Sequence, residues 1–143
     1  MQYEQIEEDF FIYIEKNEGV MDTLTKFCIN QGIKNAKISG IGAVKETEVG
    51  AYDTTKKEYI RKKFPQVLEL ISFEGNVTLK DSVPFVHSHV VLSNHDMNTY
   101  GGHLFETTVA AVGEFFLRKF NGNAYRKLNE EVGLPCICLE KKV

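Results

Sequence analysis

The sequence predicts an α+β fold, a single domain of about seven strands and one main helix. Runs of β-branched and aromatic residues, separated by turn residues, recur along the chain, whereas only one stretch has helical spacing. A length of 143 residues corresponds to one typical domain. A composition of 43% hydrophobic and 26% charged residues is ordinary for a globular fold with one core.

The first strand and the helix are predicted near the start of the chain. Asp9 to Ile14, DFFIYI, is aromatic and β-branched, and the polar residues Glu15 to Gly19 form a turn after it. A helix of about twelve residues follows, because apolar residues recur there at helical spacing. These residues are Val20, Leu24, Phe27 and Cys28. Gly32 is placed as the stop signal of this helix.

Small apolar residues predict a buried strand over Ala36 to Val44, in which Gly40 and Gly42 permit close backbone approach. This Gly-x-Gly pair has no third glycine and opens no helix, so it does not fit a dinucleotide-binding fingerprint. Thr47 to Tyr52 and Glu58 to Phe64 are predicted as a hairpin with a turn at residues 53–56.

The second half of the sequence is predicted to be mostly strand. A strand over Val67 to Leu79 is expected to bend or bulge at Glu74 to Asn76, and a turn at residues 81–84 leads into the next strand. A long strand follows over His103 to Lys119, with Gly113 as a candidate kink. The remaining predictions are a connection with a short helical turn over Asn121 to Gly133, a last strand over Leu134 to Leu139, and a charged tail over Glu140 to Lys142.

All four histidines of the protein fall between Pro84 and Glu106. On a strand, His87 and His89 leave the same face roughly 7 Å apart. The strands before and after the loop at residues 94–102 are expected to be neighbours, which brings His103 beside or diagonal to His89. Three imidazoles predict a metal site, with zinc as the default ion and a fourth position open. The alternative is a purely structural cluster.

Three further residues near these histidines are candidates for supporting the site. His95 lies in the polar loop, where the alternatives are a ligand from a neighbouring subunit, a residue that supports the ligands, or an exposed residue. Glu69 and Glu106 are the nearest candidate carboxylates, although Glu106 would need a bulge to reach the face of His103.

The cysteine content and the N-terminal sequence predict a cytoplasmic protein. Three cysteines are too few and odd in number for a disulfide framework, so a reducing compartment is expected. Cys136 and Cys138 are interpreted as buried thiols, with metal ligation as the alternative. No apolar run reaches the length of a membrane span, and the acidic start lacks the features of a signal peptide.

The net charge of -3 gives the whole chain no electrostatic footprint for nucleic acid. Contact with DNA would therefore need a local basic patch, and one segment supplies five cations within eight positions. They are Lys56, Lys57, Arg61, Lys62 and Lys63. The alternative is a solvated hairpin whose edge lysines prevent association between sheets.

Four phrases occur in an order and spacing that resemble the plants-and-prokaryotes-conserved domain, the PPC domain. They are GIGAV from Gly40, ELISFEGNV from Glu69, PFVHSHVVLS from Pro84 and GGHLFE from Gly101. The resemblance spans nearly the whole chain, so residues 1–143 are interpreted as one PPC-like domain. It implies a largely antiparallel sheet and assembly as a homotrimer.

The resemblance also implies a role in DNA binding or regulation, because plant members carry this domain after AT-hook segments in nuclear proteins. The sequence contains no Arg-Gly-Arg-Pro core of an AT-hook. The sequence therefore leads to a trimeric DNA-binding or regulatory module with a histidine zinc site. The alternative function is a metal-dependent, hydrolase-like enzyme that uses an open three-histidine site.

Overall fold

The computed structural model describes residues 1–139, and the predicted charged tail over Glu140 to Lys142 lies outside them. Residues 1–139 form one helix and nine strands. In chain order they are β1 (Gln2–Ile6), β2 (Asp9–Ile14), α1 (Val20–Asn30), β3 (Ala36–Asp53), β4 (Glu58–Phe64), β5 (Leu68–Lys80), β6 (Val83–Ser93), β7 (Thr99–Lys119), β8 (Tyr125–Asn129) and β9 (Leu134–Cys138).

The nine strands belong to one sheet, in the order β1-β2-β7-β3-β5-β8-β9. β4 pairs with β3, and β6 pairs with both β5 and β7. All of these pairings are antiparallel except the short one between β5 and β8. The helix packs against β6 and β7. The predicted α+β domain, with one helix and a largely antiparallel sheet, is confirmed.

The strand count is nine rather than about seven, because two strands carry no hydrophobic signal. Every residue of β1 is exposed, and this strand forms a hairpin with β2 at the end of the sheet order. β8 lies in the segment that was predicted as a connection with a helical turn, and that prediction was wrong. The only buried residue of β8 is Arg126, so the alternation of apolar residues that marks a strand is missing.

Two predicted strands, Ala36 to Val44 and Thr47 to Tyr52, are continuous in β3. Glu46 has a φ of 51°, and the register of β3 against β7 shifts between Lys45 and Glu48. These features indicate a bulge, which bends the strand without ending it. The close approach predicted at the glycines is present, because a Cβ on Gly42 would lie 2.3 Å from the carbonyl oxygen of Val112.

The irregularity of β5 lies earlier than predicted. Glu74 to Asn76 pair regularly with β6, whereas the register shifts between Leu70 and Ser72. The extra residue, Ile71, is 48% exposed, and Phe73 is fully buried. The bulge therefore changes which side chains of β5 face the core, an outcome that strict alternation does not predict.

The helix follows its prediction closely. Val20, Leu24, Phe27 and Cys28 are its buried residues. Gly32 ends it with a φ of 63°, where the N–H of Ile33 bonds to the carbonyl of Cys28 at 2.8 Å and that of Gly32 bonds to Ile29 at 3.2 Å. This pair of bonds is the Schellman motif, which requires a left-handed residue.

Candidate metal centre

His87 and His89 point to the same side of β6. The residues between and beside them, Val86, Ser88 and Val90, are buried on the other side, with exposed fractions of 1% to 4%. The alternation of β6 therefore buries its small and apolar residues and leaves both imidazoles on one face, as the sequence predicts.

His103 reaches this face through the pairing of β6 with β7, in which it lies directly opposite His89. The strands come this close because Gly101 and Gly102 have no side chains. A Cβ on Gly101 would lie 2.9 Å from the carbonyl oxygen of Val90, and one on Gly102 would lie 2.8 Å from that of Gly50. Such distances force a shift, so the two glycines are needed for the close packing next to His103.

The three histidines form one compact group. Each offers a ring nitrogen, and these three atoms lie within 4.8 Å of one another. His89 is exposed, while His87 and His103 are partly buried. Imidazole nitrogens are a preferred donor set for zinc, and three of them leave a fourth position free. One ring nitrogen, Nδ1 of His103, is also buried and has no hydrogen-bond partner among residues 1–139, so the residues fit a metal ion.

Burial and neighbouring positive charge keep two of the imidazoles neutral. Burial lowers the pKa of His87 to about 4, with further contributions from Arg126, His103 and His89. Burial also lowers the pKa of His103 to about 4, followed by the effects of His89, Arg61 and Arg126. At neutral pH both rings are therefore uncharged, which is the state that binds a metal.

Aromatic residues fix the ring of His103. Tyr59 of β4 stacks on it with centroids 4.9 Å apart and an interplanar angle of 29°. Phe105 meets it edge-on at 4.9 Å. Both contacts restrict rotation of the imidazole and so reduce the side-chain entropy that is lost when a ligand binds.

Arg126 of β8 forms a hydrogen bond with His87, the other partly buried histidine. Its Nη2 donates to Nδ1 of His87 at 3.2 Å. Since arginine only donates, this Nδ1 accepts and the proton of the neutral ring lies on Nε2. Binding of a metal by His87 would therefore require this hydrogen bond to break.

A cavity of about 350 Å³ opens beside the histidine group. His87, His103 and Arg126 contribute to its wall, together with aromatic and aliphatic side chains from several strands. A group bound at the histidines would thus adjoin a space large enough for a small molecule.

The family is shown by comparison with known proteins. The model of the Plants and Prokaryotes Conserved (PCC) domain, the PPC domain, matches residues 1–121. This chain belongs to the PPC family. No curated protein matches its sequence significantly.

Solved structures of similar proteins align with nearly the whole length of this PPC-family chain. A PPC protein from Pyrococcus horikoshii is 36% identical, with a TM-score of 0.88 and coverage of 99% of this chain and 97% of the other. A metal-containing protein from Archaeoglobus fulgidus is 36% identical, with a TM-score of 0.85 and coverage of 95% and 97%. A candidate DNA-binding protein from Bacteroides thetaiotaomicron is 25% identical, with a TM-score of 0.94 and coverage of 98% of each chain.

The three residues expected to support the site lie elsewhere in the PPC structure. His95 is exposed in the loop between β6 and β7, and Glu69 is exposed on β5. Glu106 instead binds the start of the helix: its Oε1 accepts from the N–H of Met21 at 2.8 Å and its Oε2 from that of Asp22 at 3.0 Å. Within residues 1–139, none of these three side chains forms a hydrogen bond with a histidine ring of the group.

All five residues of the basic patch are exposed, but the three of them on β4 lie on two faces of the strand, and the other two lie in the turn before it. Arg61 lies over the ring of Phe105 at 3.5 Å and forms an ion pair with Glu48 at 3.5 Å. Lys62 lies over Phe64 at 4.9 Å, on the opposite face. A strand that alternates in this way does not present all five charges as one stripe.

Cys136 and Cys138 are free and partly buried on β9. They do not belong to the histidine group, which contains no sulfur among the described residues. No helix in the described part of the chain is long and apolar enough to cross a membrane.

Arg126, Tyr59 and Phe105 are the residues of this site that sequence reasoning missed. Arg126 stood in a segment interpreted as a connection, and Tyr59 and Phe105 read as ordinary strand residues. The sequence carries no clear signal for Arg126, because it stands between Tyr125 and Lys127 in a polar segment and its partners come from other strands.

Proposed function

We propose that this PPC-domain protein binds zinc through His87, His89 and His103 and acts as a homotrimeric DNA-binding or regulatory module. The observation that carries the proposal is the convergence of three ring nitrogens, one from each histidine, within 4.8 Å. The metal-containing relative from Archaeoglobus fulgidus supports the presence of an ion in this fold.

Elemental analysis tests the zinc site. We expect one zinc per chain in protein purified from zinc-containing medium, and loss of that zinc in a His87→Ala, His89→Ala double variant. His95→Ala is the matched control, because His95 is exposed and outside the group. Metal-free protein, or equal zinc contents in the two variants, would contradict the site.

The DNA-binding part of the proposal is supported by the five exposed cations at β4 and its turn, and by the candidate DNA-binding relative from Bacteroides thetaiotaomicron. Phosphate contacts release counterions, so binding to duplex DNA should weaken steeply with salt. Replacing Lys57, Arg61 and Lys62 with glutamate is expected to abolish that salt-dependent binding in a fluorescence anisotropy titration.

The control for this titration carries the same change of charge away from β4. Lys16 and Lys34 are exposed in loops and Lys127 is exposed on β8, and their triple substitution by glutamate should retain much more of the affinity. Loss of binding in both triple variants would indicate a general charge effect, and no binding at low salt would refute the DNA role for this chain.

The cavity beside the histidines favours a second candidate, a metal-dependent hydrolase. Zinc held by three imidazoles would lower the pKa of its bound water to about 7. That water is the usual nucleophile of zinc hydrolases. In this chain, the partly buried walls at His103 and Phe105 would limit the access of bulk water. Hydrolysis of p-nitrophenyl acetate that depends on added zinc and disappears with His87→Ala, His89→Ala would support this function.

The homotrimer is supported by an exposed apolar surface. It consists of Phe11, Ile41, Ile71, Val112 and Phe116, which are 39% to 54% exposed, and is called the Ile41 surface below. Ile41 lines two adjoining depressions, one shared with Phe11 and Phe116 and one with Ile71 and Val112. Continuous apolar patches on a protein surface commonly mark contacts with other chains.

A further inference from the structure

Arg126 is a buried cation without a carboxylate partner. The residue is 9% exposed, and its guanidinium donates to three neutral groups outside the histidines: Thr78 Oγ1 at 2.9 Å, the carbonyl of Pro135 at 3.0 Å and Asn76 Oδ1 at 2.9 Å. The bond to His87 is the fourth. Within residues 1–139 no acidic side chain forms an ion pair with it. Buried arginine usually has an anionic partner, because an uncompensated charge is costly to bury.

These four bonds leave one N–H of Arg126 for another acceptor. A guanidinium has five N–H groups, and one of the two on Nη1 has no partner among the described residues. The bonds to β5 and β9 also fix the plane of the group, so a ligand would meet a preorganised donor.

The cavity that Arg126 lines has positively charged side chains in its wall and no negatively charged ones. Lys80 lines it too, is partly buried, and forms no ion pair within the described residues. None of the lining residues is acidic. The remaining wall is largely apolar. Its aromatic part is formed by Tyr59, Phe85 and Phe105, next to the imidazoles of His87 and His103.

We propose that this cavity binds a small organic carboxylate, whose charged end lies between Arg126 and Lys80 and whose apolar body packs against the aromatic wall. A planar carboxylate matches the guanidinium geometry. The cavity volume of about 350 Å³ is at the lower end for small-molecule sites, which suits a compact acid. This site goes beyond the zinc proposal, because its charges come from residues that are not candidate metal ligands.

Titration calorimetry with benzoate and benzamide tests the site. The two probes have the same shape and differ in charge, so the cationic wall should bind benzoate at least tenfold more tightly than benzamide. The titration uses chelator-treated, metal-free protein. Its outcome is therefore independent of the zinc site, which elemental analysis decides separately.

Two variants test the assigned residues. Arg126→Gln should weaken benzoate binding by tenfold or more, and Lys80→Gln should weaken it severalfold. Lys127→Gln, on the exposed side of the same strand as Arg126, should leave binding unchanged. Because Arg126 joins three strands, its variant is checked for folding by circular dichroism, and Lys80→Gln provides the test if that variant does not fold.

The assignment would be overturned by equal affinity for benzoate and benzamide, by benzoate binding that is unchanged in Lys80→Gln or in a folded Arg126→Gln variant, or by no saturable binding of benzoate. Inorganic phosphate is titrated in parallel, and tighter binding of phosphate than of benzoate would also overturn the choice of a carboxylate.

Discussion

Glu106 joins strand β7 to the first turn of the helix. Its two carboxylate oxygens accept hydrogen bonds from the N–H groups of Met21 and Asp22, and Gly19 at the helix start has no side chain to cap them. A carboxylate in this position satisfies two free N–H groups and lies at the positive end of the helix dipole. Glu106 thus ties the first turn of the helix to the sheet, in addition to the packing of the buried helix residues.

We expect Glu106→Ala to lower the free energy of unfolding by about 2 kcal/mol, because it removes a cap and leaves N–H groups unpaired. Glu4→Ala is the control, since Glu4 is exposed on β1, and it should change stability by less than about 0.5 kcal/mol. Urea denaturation of the metal-free proteins measures both values. Equal effects of the two substitutions would contradict the capping role.

The lowered pKa values of His87 and His103 make the stability of the metal-free protein depend on pH. Their pKa is about 4 in the folded state, against 6.5 for an ordinary histidine. As the pH falls through 6.5, the unfolded chain takes up protons that the folded protein does not. The stability from these residues is therefore complete above pH 6.5 and decreases progressively towards pH 4.

Thermal unfolding of chelator-treated protein between pH 7 and pH 4 should show this decrease. In a His87→Asn, His103→Asn variant, the decrease should be smaller over the same range, because the two imidazoles with lowered pKa values no longer contribute. Parallel curves for the two proteins would show that these imidazoles are not held neutral in the fold.

At the level of elements, the ends of the strands and the helix depend on a few backbone conformations. Gly32 is the clearest case, because its φ of 63° allows the two bonds that end the helix. A Cβ at this position would meet no atom within 4 Å, so the cost of a side chain there is conformational and not steric.

Gly32→Ala is expected to lower the free energy of unfolding by about 1 to 2 kcal/mol, the cost of a left-handed conformation for an ordinary residue. Gly32→Asn should cost less, since asparagine tolerates this conformation. Chemical denaturation of both variants measures the difference. A larger cost for asparagine than for alanine would refute the conformational explanation.

The arrangement of the three histidines on β6 and β7 is the part of the site that could be predicted from the sequence. The two-residue spacing of His87 and His89 predicts a shared face, and a short loop predicts that His103 returns on the adjacent strand; both features are present. The bulge between Leu70 and Ser72 was not predictable, because sequence alternation does not show where a strand gains an extra residue.

For the molecule as a whole, the Ile41 surface is the feature that a single chain leaves unexplained. It extends over β2, β3, β5 and β7, and its residues lie outside the core. Burial of such a surface between chains would favour association, because the removal of apolar area from water is favourable.

If the proposed trimer forms through the Ile41 surface, Phe116→Glu is expected to yield monomers, because it places a charge in that apolar contact. Ile60→Glu is the control, since Ile60 is 62% exposed on β4 and outside the Ile41 surface. Size-exclusion chromatography with light scattering gives the masses. A trimeric Phe116→Glu protein would show that the chains associate through another surface.

The sequence alone determined the class of the fold, the helix with its stop at Gly32, and the face shared by His87 and His89. These features depend on side-chain patterns that repeat every few residues, and such patterns are visible in short stretches of the sequence. Only the tertiary structure decided that Arg126 contacts His87, 39 positions earlier, and that Glu106 caps a helix 85 positions away. Those contacts depend on which strands pair and where each strand bulges, and no local pattern contains that information.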